Sequence, residues 1–494
     1  MREQNFIWDP GTFKILGIQF STDTKSIVRL NYEDKLDDMK KIMNAWKKRQ
    51  LTPFGKITVI KTLVFSKIVH LFINLPDPPD NFLNSLEKEL YTFLWNGKQS
   101  KIKKSVVCKE YSKGGLRMLN IWSFLSAMKI SWLKRLIEDS KWKEFTVIMQ
   151  PEFKMVHKYG ISYADTIQQR IQNPFWKDVL KHYKKIAKKS SPCSVHEFVS
   201  ECIHYNPNIL RDRTPVFLQE WVDNDILYVK QLINDHNSLM SYNEFCNKYP
   251  DTRTNFLTYA GIVNAIKAYC RKMDIALTSR YKCLENKVWL CIKKGNKYVQ
   301  NMLNENNINP TCTQKWDSVF DNLNWDHIFS HCYKTSSDPQ IRWFQTRLIH
   351  RLLPTQRYLF LRNIVDSSTC NFCEQEEQSI THMLYDCEVV QQFWNQFFVQ
   401  LRDKCDHVEN LPLDKELILF GTKENIKSDQ VIDLILMLAK FYIYRCKLQN
   451  VNPNIRAFLP FLKTRHMMEQ CAATINGHRG QFDKKWLLYI PFLL

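Results

Sequence analysis

Glycine is scarce in this chain: 12 residues of 494, against 44% hydrophobic and 13% aromatic residues. That balance excludes a collagen-like or disordered polypeptide and predicts a globular, helix-rich one. No apolar stretch follows the charged opening "MREQNFIWDP", so a secretory signal is not expected. The most apolar run, "VIDLILMLAKFYIY", is interrupted by Asp433 and Lys440 and is too short for a membrane span. The 15 cysteines, odd in number and irregularly spread, exclude a disulfide framework and point to a reducing compartment. No internal repeat is found. These absences predict a soluble intracellular protein of the nucleus or cytoplasm.

Positive charge, by contrast, is plentiful. Lys and Arg number 70 against 50 Asp and Glu, a formal net charge of +20. Such a surplus favours an anionic partner, RNA or DNA before an acidic membrane. It is densest in residues 98–117, where Lys98, Lys101, Lys103, Lys104, Lys109, Lys113 and Arg117 face a single carboxylate, Glu110.

The length suffices for two to four domains, and helical periodicity dominates them. In "YEDKLDDMKKIMNAW" (32–46), Leu36, Met39, Ile42, Met43 and Trp46 recur three or four apart. A second helix is predicted over 51–72, capped by Thr52 with Pro53 at its first position. Its buried stripe is Ile57, Ile60, Val64, Ile68 and Leu71, and Lys56 and Lys67 are expected on its exposed face. Further helices are expected around "LNSLEKELYTFLW" and over 119–137. "FKILGIQFS" (13–21) reads as a strand without neighbours, the tail of a domain that would lie before it. Residues 146–310 alternate short helices with polar loops, "NENNINPTCTQK" (304–315) reads as a linker, and a basic tail is expected from 466. The fold class is therefore mainly α and multi-domain, with a short β segment at the start.

One string carries specific chemistry: Cys370-x2-Cys373-x8-His382-x4-Cys387. Cys-x-x-Cys supplies two zinc ligands from one tight turn, and the His and Cys complete a tetrahedron. With all four positions filled by protein, the expected Zn2+ is structural. Glu374, Glu376, Glu377 and Asp386 crowd the string and would repel phosphate, so nucleic-acid contacts are expected on the basic flanks, at Arg347 and Arg351. His331, Cys332, His350, Cys405 and His407 read as ordinary core or surface residues.

Taken in order, "FKILGIQFS", "LTPFGKITVIKTLVFSKI", "LPDPPD", "FLWNGK", "GGLRMLNI", "WFQTRLIHRLLPT" and the Cys/His string resemble LINE-type non-LTR retrotransposon reverse transcriptases. The resemblance spans about 13–465 and is weakest over 146–310. It implies a palm remnant at 1–30, a thumb at 31–145, a helical connector at 146–310 and a zinc-binding C-terminal domain at 311–465. The tail, 466–494, follows. The thumb of this family holds a template–primer duplex, and its C-terminal part helps to bind element RNA or target DNA. Leu119 departs from the family, standing where Pro is expected after "GGL".

Lys47, Lys48, Arg49, Lys56, Lys61, Lys98, Lys101, Lys103, Lys104, Lys113 and Arg117 are the candidates for gripping the backbone, by non-specific electrostatic contact. The paired aspartates of a polymerase palm are absent from the chain, as is the family's endonuclease. "YADT" (163–166) carries one carboxylate, Asp165, without an acidic neighbour. The chain is therefore expected to bind nucleic acid without polymerising or cutting it. Three other readings stay open: a zinc-stabilised protein-interaction module using 374–378 and "FWNQFF" (393–398), a relic of a retrotransposon insertion, or an enzyme whose palm is encoded upstream of Met1.

Overall fold

The computed structural model describes residues 11–23, 26–138, 170–189, 194–277, 287–304, 309–409, 414–423 and 430–493, with single positions and pairs between them. Among the described residues the protein is mostly helical, with two small antiparallel hairpins. The chain divides into two compact units that interleave along the sequence. One comprises 1–44, 61–90 and 119–305, the other 45–60, 91–118 and 306–494. The segment expected as a thumb contributes to both.

The first unit opens with a hairpin, Thr12–Ile15 paired to Ile18–Ser21, where a single strand was expected. Leu16 and Gly17 both adopt positive φ, +47° and +83°, and this two-residue turn reverses the chain. The hairpin is fastened to the helix Ser26–Tyr32 by Asn31, whose side chain accepts from the Gln19 N–H at 2.8 Å and donates to its carbonyl at 2.7 Å. The helix Ile121–Glu138 packs against Pro174–Lys188 and Asn296–Asn304 around Ile130, Leu133, Val179 and Val299. A buried polar network lies beneath. His182 bridges Ser126, 2.8 Å from its Nδ1, and Asp77, 2.9 Å from its Nε2, while Lys129 lies 3.9 Å from Asp77. Of "YADT", Tyr163 and Ala164 fall in this unit, and Asp165 lies outside the described residues.

The helix expected over 51–72 is broken into pieces. An α-helix, Pro53–Val59, passes into a π-turn, Ile60–Val64, then a 3-10 turn, Phe65–Lys67, then an α-helix, Val69–Asn74. All five residues of the expected stripe are buried. Pro53 opens the helix as expected, but Thr52 makes no capping side-chain bond. Lys56, expected to be exposed, is 2% exposed. Its ammonium donates to the carbonyls of Phe93 (2.9 Å) and Leu94 (3.3 Å) and to Asn96 Oδ1 (2.5 Å), closing the C-terminal end of the helix Asp80–Leu94.

The second unit has a core that includes most of the helix Gln430–Gln449. The Asp433 and Lys440 that interrupt its apolar run are both buried. Thr422 donates to Asp433 from its N–H and its hydroxyl, each at 2.8 Å, and Lys440 donates to the Leu419 carbonyl at 2.8 Å. The basic tail expected from 466 packs into this core. The helix Ile455–Ile475 runs across position 465, and Phe482, Trp486, Tyr489 and Phe492 are buried in the same core. No helix among the described residues is long and apolar enough to cross a membrane.

Candidate metal centre and its basic surround

The four predicted ligands converge. One donor atom from each of Cys370, Cys373, His382 and Cys387 lies within 4.8 Å of all the others. A zinc tetrahedron with bonds of ~2.3 Å to sulfur separates its sulfurs by roughly 3.8 Å. Cys370 Sγ and Cys387 Sγ stand 4.0 Å apart, and Cys373 Sγ lies 3.4 Å from His382 Nε2. Three thiols and an imidazole, mostly buried, thus fit a closed structural site.

Local sequence explains the convergence. Glu374, at φ +56°, turns the chain after Cys373, and its N–H donates to the Cys370 carbonyl at 2.9 Å. Thr369 and Glu377 form a short bridge that folds the acidic loop back. His382 begins a π-turn, His382–Asp386, and Cys387 stands at the N-cap of the helix Glu388–Lys404, where the helix dipole favours a thiolate. Trp394 locks the two together by donating its indole N–H to the Leu384 carbonyl at 2.8 Å.

Two residues around the ligands were not found from the sequence. Glu376 Oε2 lies 3.0 Å from His382 Nδ1, which leaves Nε2 turned toward the sulfurs. A carboxylate behind a ligating imidazole fixes its tautomer and raises its basicity. The acidic loop is therefore partly support for the metal site, and Glu377 is paired with Arg357 at 3.0 Å. Gln378, fully buried, donates to Cys370 Sγ at 3.5 Å and accepts the Gln356 N–H at 3.1 Å. Spacing reveals ligands, but partners held by backbone folding leave no spacing signal.

The alternative ligands lie elsewhere. His331 Nε2 is 3.6 Å from Asp433, His350 Nε2 meets the Gly114 carbonyl at 3.0 Å, Cys405 reaches the Leu488 carbonyl, and His407 packs on Tyr489. Cys332 is buried in the core.

Most of the basic candidates belong to the same unit as the Cys/His cluster. Residues 91–118 pack on the helices Trp325–Thr335 and Pro339–Ile349. Tyr111 stacks on Tyr333 at 3.8 Å, Trp95 meets Trp343 at 6.2 Å, and Lys113 pairs with Asp326 at 2.6 Å. "GGL" fits this packing. Gly114 has φ +74°, and a Cβ on Gly115 would fall 1.9 Å from the Lys109 carbonyl oxygen. Lys47, Lys48, Lys98, Lys101 and Lys103 are exposed. Arg49 lies over Trp46, Lys104 over Tyr91, Arg347 over Tyr444 and Arg351 over Trp316, while Arg117 pairs with Glu110. Lys61 is exposed and belongs to the first unit. Partial desolvation of its ammonium, together with the charges of Arg347, Lys98 and Arg362, lowers the pKa of the otherwise exposed Lys101.

Residues 311–394 match the model of a zinc-binding region in reverse transcriptase, a span that includes all four ligands. The chain is also 27% identical over 136 residues to a putative ribonuclease H protein of Arabidopsis thaliana. That stretch is 26% of this chain and 21% of the plant protein, so the chain spans about a fifth of that relative. Residues 311–394 are thus similar to the zinc-binding region of reverse transcriptases, and both matches support a protein of retrotransposon type.

Proposed function

We propose that this chain is the nucleic-acid-holding part of a LINE-type reverse transcriptase: thumb, connector and zinc-stapled C-terminal domain. It binds RNA or DNA through its phosphate backbone and contributes no catalytic carboxylates of its own. The Zn2+ is structural, bound by Cys370, Cys373, His382 and Cys387. The observation that carries this reading is the packing of the Lys-rich segment 91–118 into the unit that holds the metal site. A loop of positive charge fixed by aromatic stacking meets phosphates without first losing conformational freedom. The alternative, a protein-interaction module, loses one of its two supports. Phe393, Trp394, Phe397 and Phe398 are each no more than 2% exposed, so "FWNQFF" is core.

Charge reversal at Lys98, Lys101 and Lys103 tests the proposal. RNA and DNA binding by the triple Lys→Glu variant is expected to fall at least tenfold at 0.1 M salt, with zinc content unchanged. Undiminished binding by a folded, zinc-loaded variant would overturn it.

A further inference from the structure

The helix Gln356–Phe360 and the turn after it were no part of the candidate surface, yet they carry an unusual combination. Phe360, Leu361 and Ile364 are 43%, 68% and 63% exposed, and Arg362 stands among them. The turn is held in a fixed shape. Asn363 adopts φ +53°, its N–H donates to the Phe360 carbonyl at 2.9 Å, and the Ile364 N–H donates to the Leu359 carbonyl at 3.0 Å. This is a Schellman closure of the helix. Arg362 lies over the Tyr358 ring at 3.6 Å, which steers its guanidinium.

The start of the same helix hangs from the metal site. The Gln356 N–H bonds to the Gln378 side chain, the Arg357 N–H bonds to the Gln378 carbonyl at 3.3 Å, and Gln378 touches the ligand Cys370. On the other side, Trp95 against Trp343 brings the segment before Lys98 beside the helix that carries Arg347, one turn beyond Trp343. Lys101 is within electrostatic reach of Lys98, Arg347 and Arg362. These cations lie near one another, next to the exposed apolar side chains of a fixed turn.

We infer that Leu361 and Ile364 form a wedge that packs against unstacked bases of a bound nucleic acid, whose phosphates are held by Lys98, Lys101, Arg347 and Arg362. Apolar wedges flanked by cations act this way because the cations hold the backbone while the side chains replace lost base stacking. The occupant is a strand with unpaired bases, such as a bulge or fork, in preference to a continuous duplex. The inference rests on the reading above that this unit binds nucleic acid, and deepens it.

The test uses the full zinc-loaded chain and two fluorescent DNAs of equal length, a blunt duplex and the same duplex with a four-base bulge containing 2-aminopurine. The wild type is expected to bind the bulged DNA about tenfold more tightly and to change the 2-aminopurine emission. In Leu361→Ser/Ile364→Ser the preference should collapse toward one, with blunt-duplex affinity and zinc content kept. Arg362→Gln should weaken both DNAs and lower the salt slope by about one. Equal binding of the two DNAs by the wild type, or a preference kept by the double variant, overturns the wedge while leaving backbone binding intact. Failure to bind either DNA overturns the wedge and the proposed function together.

Discussion

The Glu376 carboxylate lies 3.0 Å from Nδ1 of His382, behind the imidazole whose Nε2 faces the Cys373 sulfur. An acidic residue inside the Cys/His string thus supports the metal site and does not merely repel phosphate. Glu376→Gln is expected to lower zinc affinity by about 10- to 100-fold, as loss of such outer partners does elsewhere. Competition with a chromophoric chelator measures this, and unchanged affinity would mean that the contact orients nothing.

Lys56 closes a helix end from within the core. Burial, and secondarily the Lys47 charge, lower its pKa. Lys56→Met leaves the Phe93 and Leu94 carbonyls without this donor and should cost about 1–3 kcal/mol in denaturant unfolding. A cost indistinguishable from zero would remove Lys56 from the structural account and return it to the candidate binding surface.

Gly115→Ala places a methyl group where the backbone of Lys109 stands. Backbone cannot step aside as a flexible side chain can, so the loss should be roughly 3 kcal/mol. Because the strain falls between Lys109 and Arg117, nucleic-acid affinity should fall with stability. Thermal melts and binding of the same preparation would show whether the two move together.

Lys440 gives a pH signature. Burial lowers its pKa to about 7, against roughly 10.4 in an unfolded chain. Between those values the unfolded state holds the extra proton, so this group makes stability rise as pH increases above 7. The buried thiols Cys312 and Cys332, pushed up to about 12 by burial, act in the opposite sense above about pH 8.5. The informative quantity is therefore the difference between wild type and Lys440→Met over pH 7–8.5. The wild type should gain stability relative to the variant across that window, and parallel curves would contradict the assignment.

The sequence showed most clearly what depends on spacing. The ligand string and the stripe from Ile57 to Leu71 both follow from residue intervals, and both are found assembled. What depends on the approach of distant segments stayed hidden. Lys56 looks like a surface lysine because the helix end that it closes lies about forty residues away. The turn at Leu16 and Gly17 was masked by the apolar residues around it, which read as one strand. The C-terminal residues looked like a tail because their charges outnumber the four aromatics that anchor them. Glu376 and Gln378 gain their roles only once the loop folds back on the metal site.

The most direct test of the central claim is the salt dependence of binding. The zinc-loaded chain would be titrated with a duplex of 20–30 base pairs between 50 and 300 mM KCl. Engagement of about six cations predicts a slope of log K against log [salt] near −5. Submicromolar affinity at low salt that falls along such a slope is the expected result. A slope near zero, or no binding at 50 mM KCl, would contradict the assignment of this basic unit to nucleic acid.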